Sequence, residues 1–170
     1  ADTALNDLKA GGRGGIRMFS KEMLESAELA ARQLNTARQI VRDDAIVPYY
    51  QPKVDLVTGD IVGYEALLRW RYPFSTETQS PRTVAEAFND YELAAGMAAQ
   101  MHAKVLRDMA TWRDRGLPLL PVSLNAAPVE FLRDSFAARL IARLEGHRIP
   151  AELIEIEVTE HVLLERGAES

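Results

Sequence analysis

Tyr50-Gln51-Pro52-Lys53-Val54-Asp55-Leu56 is followed by Thr58-Gly59-Asp60 and then by Ile61-Val62-Gly63-Tyr64-Glu65-Ala66-Leu67-Leu68-Arg69-Trp70. The first run, begun at Ile46, reads as a strand. The Thr-Gly-Asp triplet reads as a turn, and Ile61 to Trp70 as a second strand rich in β-formers at its start. Beyond this hairpin-like pair the pattern alternates. Ser80-Pro81 caps and opens a helical stretch, with apolar residues from Val84 to Trp112 at three- and four-residue steps. Asn89-Asp90 or Gly96 divides that stretch, which ends at Arg115-Gly116. Leu117 to Asn125 reads as a third strand, and a helix is expected from Pro128 to Gly146. Leu153 to Val158 forms a fourth strand, with a helix start from Thr159. Strands alternating with helices imply an α/β fold with mainly parallel strands. A doubly wound sheet and a (β/α)8 barrel both begin this way. A closed barrel needs about 250 residues, so only part of one is expected here.

Upstream of the hairpin, Gly11-Gly12-Arg13-Gly14-Gly15 marks a loop, and Ile16 to Phe19 suits a short strand. Ser20 is an N-cap for an amphipathic helix of about six turns, with Met23, Ala27, Ala30, Leu34, Ala37 and Val41 on one face. This pattern fits a packing or linker helix first, and a signalling helix that couples two domains is compatible with it. Apolar residues make up 47% and charged residues 26%, so wholesale disorder is excluded. Charges cancel over 1–45, and the whole net charge of −5 lies in 46–170. An acidic chain is not a generic DNA- or RNA-polymer binder. It still accommodates a nucleotide held by a local cation. The absence of Cys excludes disulfides, thiolate metal sites and Cys nucleophiles. It fits a reducing cytosol, so a cytoplasmic location is expected. No apolar run has the length of a membrane span, so no membrane contact within the chain is expected.

Three polar side chains fall late in consecutive strands: Glu65 in the second, Asn125 in the third and Glu157 in the fourth. That edge of an α/β sheet or barrel is where ligands bind. Two carboxylates and an amide oxygen are hard donors that suit Mg2+ or Mn2+ better than Zn2+. The bland alternative is that they cap helices or reach water. Arg69 shares a face with Glu65, four residues along the same strand. It fits a bidentate phosphate contact or a salt bridge to Glu65. His102 is placed mid-helix, His147 in a loop, and His161 at a helix start beside Glu160.

The quoted residues resemble the opening of an EAL domain, named for the Glu-Ala-Leu triplet that stands here at 65–67. The resemblance continues at Val122-Ser123-Leu124-Asn125 and at Ile154-Glu155-Ile156-Glu157-Val158-Thr159-Glu160, and covers about 45–165. Ala1-Asp2-Thr3-Ala4-Leu5, Ala10-Gly11-Gly12-Arg13-Gly14 and Ile16-Arg17-Met18-Phe19 are similar to the tail of a GGDEF domain. The resemblance therefore implies a GGDEF tail over 1–19, a linker helix over 20–44, and the N-terminal half of an EAL domain over 45–170.

EAL domains are (β/α)8-type barrels whose first strand runs against the others. They hydrolyse cyclic di-GMP, a bacterial second messenger, to pGpG with two Mg2+ or Mn2+ ions. Carried over by position, Glu65, Asn125 and Glu157 are implied metal ligands, and Glu65 and Glu157 are thereby catalytic. Gln51 and Arg69 are implied to contact substrate, with Leu67 near the guanine. Glu160 is implied as a third catalytic residue, the glutamate that supports an active-site loop. Asn125-Ala126-Ala127 departs from the family's Asn-x-Ser, His161 replaces a small hydroxyl residue, and the loop 74–80 is more polar than usual. The family's later Asp-Asp-Phe-Gly segment, catalytic Lys and late Glu do not occur within the 170 residues. A phosphodiesterase with half of its site on this chain is the expected reading. A degenerate domain that senses cyclic di-GMP and a dimerisation module are the alternatives. Strands read as apolar on both faces, with an open edge, lead to the expectation of a homo-oligomer.

Overall fold

The computed structural model describes residues 21–72, 74–126 and 136–158. A four-stranded sheet lies at its centre, in the order β1 (Ile46–Val54), β2 (Ile61–Trp70), β3 (Val122–Ala126), β4 (Ile154–Val158). β1 is antiparallel to β2, and β2, β3 and β4 run parallel. The helices are α1 (Lys21–Arg42), α2 (Tyr91–Asp114) and α3 (Phe136–His147), with a 3-10 segment at Pro81–Phe88 and a shorter one at Ala151–Leu153.

One face of the sheet builds the core. Ile46, Ala66, Trp70, Val122 and Leu124 are buried there with Met97, Val105, Leu106 and Met109 of α2. Tyr50, on that same face, donates its hydroxyl to Asp108 of α2 (2.6 Å) and meets Trp112 edge-on at 4.9 Å. α1 is part of this packing through Ala37 and Ile40. Two polar links fix it. Gln33 accepts from the Glu86 backbone N–H, and Gln100 of α2 donates to the Val41 carbonyl. The face read from the sequence, Met23 to Val41, is the face that turns inward.

The long helical stretch divides at Asn89-Asp90, not at Gly96. Asp90 caps α2 by accepting from the Glu92 and Leu93 backbone N–H groups. Ser80 caps the 3-10 segment through Arg82 N–H. Gly116, at φ +73°, stops α2. The third strand is shorter than expected. It begins at Val122, because Pro118 and Pro121 have no N–H to give to a ladder. The fourth strand is not apolar on both faces. Ile154 and Ile156 pack against the core, whereas Glu155 and Glu157 lie on the other face. The expected loop and short strand of 1–19, the Ser20 cap, the first turns of the helix from Pro128 and the helix start at Thr159 lie outside the described residues.

Candidate active site

Strand alternation sends every second side chain of the sheet away from the helices. The register places Gln51 opposite Glu65, Glu65 beside Ser123, and Asn125 beside Glu157. Lys53, Leu67, Arg69 and Glu155 share that same face. The polar face thus collects all the site residues singled out from the sequence except Glu160, which, with His161, lies outside the described residues.

Two polar clusters form on this face. In the first, Asn125 donates Nδ2 to Glu65 Oε1 at 3.0 Å. An amide used this way keeps its carbonyl oxygen for another partner. In the second, Lys53 donates to Ser123, to Glu155 Oε2 (2.7 Å) and to Glu157 Oε1 (3.2 Å). Ser123 in turn donates to Glu155 Oε2 at 2.6 Å. The bond to Glu155 pushes the Lys53 ammonium above its ordinary range, and the bonds from Lys53 and then Ser123 hold the Glu155 carboxyl below its own. Arg69 donates Nη1 to the Leu68 carbonyl (2.7 Å), and no Arg69–Glu65 ion pair exists among the described residues. The salt-bridge alternative for Arg69 is therefore not realised.

The donor chemistry of Glu65, Asn125 and Glu157 suits a hard divalent cation. Their arrangement is partial, since among the described residues no three His, Cys, Asp or Glu groups converge to hold a metal. An open pocket of about 430 Å3 lies on the core side of the sheet, lined by Tyr50, Tyr64, Trp112, Leu117, Pro118 and Leu120. Its lining is mostly apolar and lies on the opposite face from Glu65, Asn125 and Glu157.

Sequence reading missed Lys53, Ser123 and Glu155. The signal was available, because each stands two residues from a residue already singled out and therefore on its face. It also undervalued His102. This side chain is buried on α2 (2% exposed) and hydrogen-bonds the Asn125 backbone, behind the strand end that carries the amide. Burial pushes its imidazole down to about 4, and the Arg143 charge adds to the effect.

The EAL domain family profile matches residues 31–170. The cyclic di-GMP phosphodiesterase NbdA of Pseudomonas aeruginosa is 32% identical over 168 residues, covering 96% of this chain and 21% of that protein. The bifunctional diguanylate cyclase/cyclic di-GMP phosphodiesterase MucR of the same organism is 29% identical over 164 residues, covering 94% of this chain and 23% of that protein. The chain thus spans about a fifth to a quarter of these relatives' length. A solved cyclic di-GMP complex of the MucR phosphodiesterase superposes with a TM-score of 0.70 at 24% identity, over 81% of this chain and 56% of that one. At that identity the likeness speaks for the fold. No helix among the described residues is long and apolar enough to cross a membrane. With the Glu-Ala-Leu strand, an antiparallel first strand and a profile match over most of its length, the chain belongs to the EAL-domain family.

Proposed function

We propose that this chain supplies the first half of the catalytic barrel of a metal-dependent cyclic di-GMP phosphodiesterase. The observation that carries the reading is the placement of Glu65, Asn125 and Glu157 on one face of three adjacent parallel strands, within a family match. Glu65, Asn125 and Glu157 would hold Mg2+ or Mn2+. Such an ion lowers the pKa of a bound water and neutralises phosphoryl charge. The chain's own part is positioning. Asn125 orients the Glu65 carboxylate through its amide. Arg69 offers a guanidinium to a phosphate, once its contact to Leu68 is exchanged. Gln51 lies across from Glu65 and gives an amide to the nucleotide, and Leu67 gives the guanine an apolar surface. Glu160 supports the neighbouring loop.

The proposed organisation is a GGDEF tail over 1–19, a connecting helix over 20–44 and a half barrel over 45–170. An alignment of 168 residues with NbdA reaches upstream of residue 31, where the family profile begins. That extension supports a shared segment ahead of the barrel. Hydrolysis of cyclic di-GMP by the protein that contains this chain, followed as pGpG by chromatography, tests the assignment. Glu65→Ala is expected to lower turnover more than the roughly 10–100-fold that outer partners of a metal ligand typically cost. Undiminished turnover in that variant would refute the site. Tight cyclic di-GMP binding without turnover in the parent would move the chain to the sensor reading.

A further inference from the structure

Lys53 is the unexpected cation of this face. It stands on β1 opposite Gly63, the β2 residue without a side chain, and reaches across β2 to β3 and β4 there. Two of its three partners lie outside the proposed metal set. Ser123 is fully buried (0% exposed), and it also donates to Glu155, so the ammonium is fixed by a closed triangle of Lys53, Ser123 and Glu155. The third donation, at 3.2 Å, goes to Glu157 Oε1, which is a proposed metal ligand. Glu155 and Glu157 stand two residues apart on one strand, so their like charges face the same space.

We propose that Lys53 is the resident counter-ion of the Glu155/Glu157 pair and sets the divalent-cation affinity of the site by holding Glu157 against an incoming ion. This rests on the metal-centre reading above. An ammonium anchored on Glu155 and Ser123 does not leave when a metal arrives. It repels the second cation and competes for the same carboxylate oxygen. Neutralising it at constant length frees Glu157 and leaves Glu155 as an additional donor. Charge alone is at issue, so Arg at this position should behave as Lys does.

The test is Mn2+ titration of the purified chain, read by electron paramagnetic resonance of the free ion, with the fold checked by far-UV circular dichroism. Lys53→Met and Lys53→Gln are expected to bind Mn2+ about tenfold more tightly than the parent, equivalent to ~1.4 kcal/mol. Lys53→Arg is expected to match the parent. Gln retains a donor for Ser123, so it serves where Met unfolds the chain. Neutral variants that bind no more tightly than the parent would overturn the proposal, as would equal tightening by Arg. Loss of fold in both neutral variants would assign Lys53 to the scaffold and equally overturn it. Glu65→Gln reports separately on the metal reading. Unchanged Mn2+ binding in that variant removes Glu65 from the centre, while the Lys53 comparison remains readable.

Discussion

At the residue scale, His102 links stability to pH. Its imidazole titrates near 4 in the fold, below its ordinary value of 6.5, because burial penalises the charged form. The folded pKa is depressed, so the unfolded chain binds the proton first. The contribution is therefore complete above 6.5 and is lost as pH falls toward 4. Urea unfolding should show about 2 kcal/mol less stability at pH 5 than at pH 7 from this group, and His102→Gln should flatten that slope. An unchanged slope in the variant would place the dependence elsewhere. Glu65, Asn125 and Glu157 were legible because position late in a strand and alternation are written in the sequence. Their partners were less so. That Asn125 turns to Glu65, and Lys53 to Glu155, depends on which strands are neighbours and in what register. No single strand encodes that.

At the element scale, two contacts set boundaries. Asp90 closes the N-terminus of α2 with two hydrogen bonds, so Asp90→Ala should cost about 1 kcal/mol in chemical denaturation. Gly63 is held by close approach, since a Cβ there would lie 2.9 Å from the Pro121 carbonyl oxygen. That oxygen already accepts from the Tyr64 backbone N–H. Gly63→Ala should therefore destabilise by about 1–3 kcal/mol, the range for overpacking against a fixed neighbour. A denaturation midpoint equal to the parent's would contradict this. Helix positions were readable from apolar spacing, and the Asn89-Asp90 break from its turn chemistry. The start of β3 was legible in Pro118 and Pro121, which have no ladder donors, although the apolar run around them suggests a strand from Leu117.

At the scale of the molecule, helices cover one face of a sheet whose other face carries carboxylates, amides and a lysine. β1 and β4 are its edges among the described residues. Unpaired edges template pairing with another chain, so the purified 170 residues should self-associate in light scattering. The driving surface is the strand edge and not an apolar inner face, since the exposed face of β4 carries Glu155 and Glu157. A monodisperse monomer with cooperative unfolding would contradict this expectation. The sequence motifs made the α/β class and the antiparallel first strand legible, whereas β4 departs from the expectation of strands apolar on both faces because Glu155 and Glu157 alternate with Ile154 and Ile156. The central claim is that Glu65, Asn125 and Glu157 form one cation centre. Anomalous diffraction from Mn2+-soaked crystals of the protein containing this chain tests it most directly. The account predicts a peak within ligand distance of all three side chains, whereas a peak at Glu155 alone, or none on this face, would contradict it.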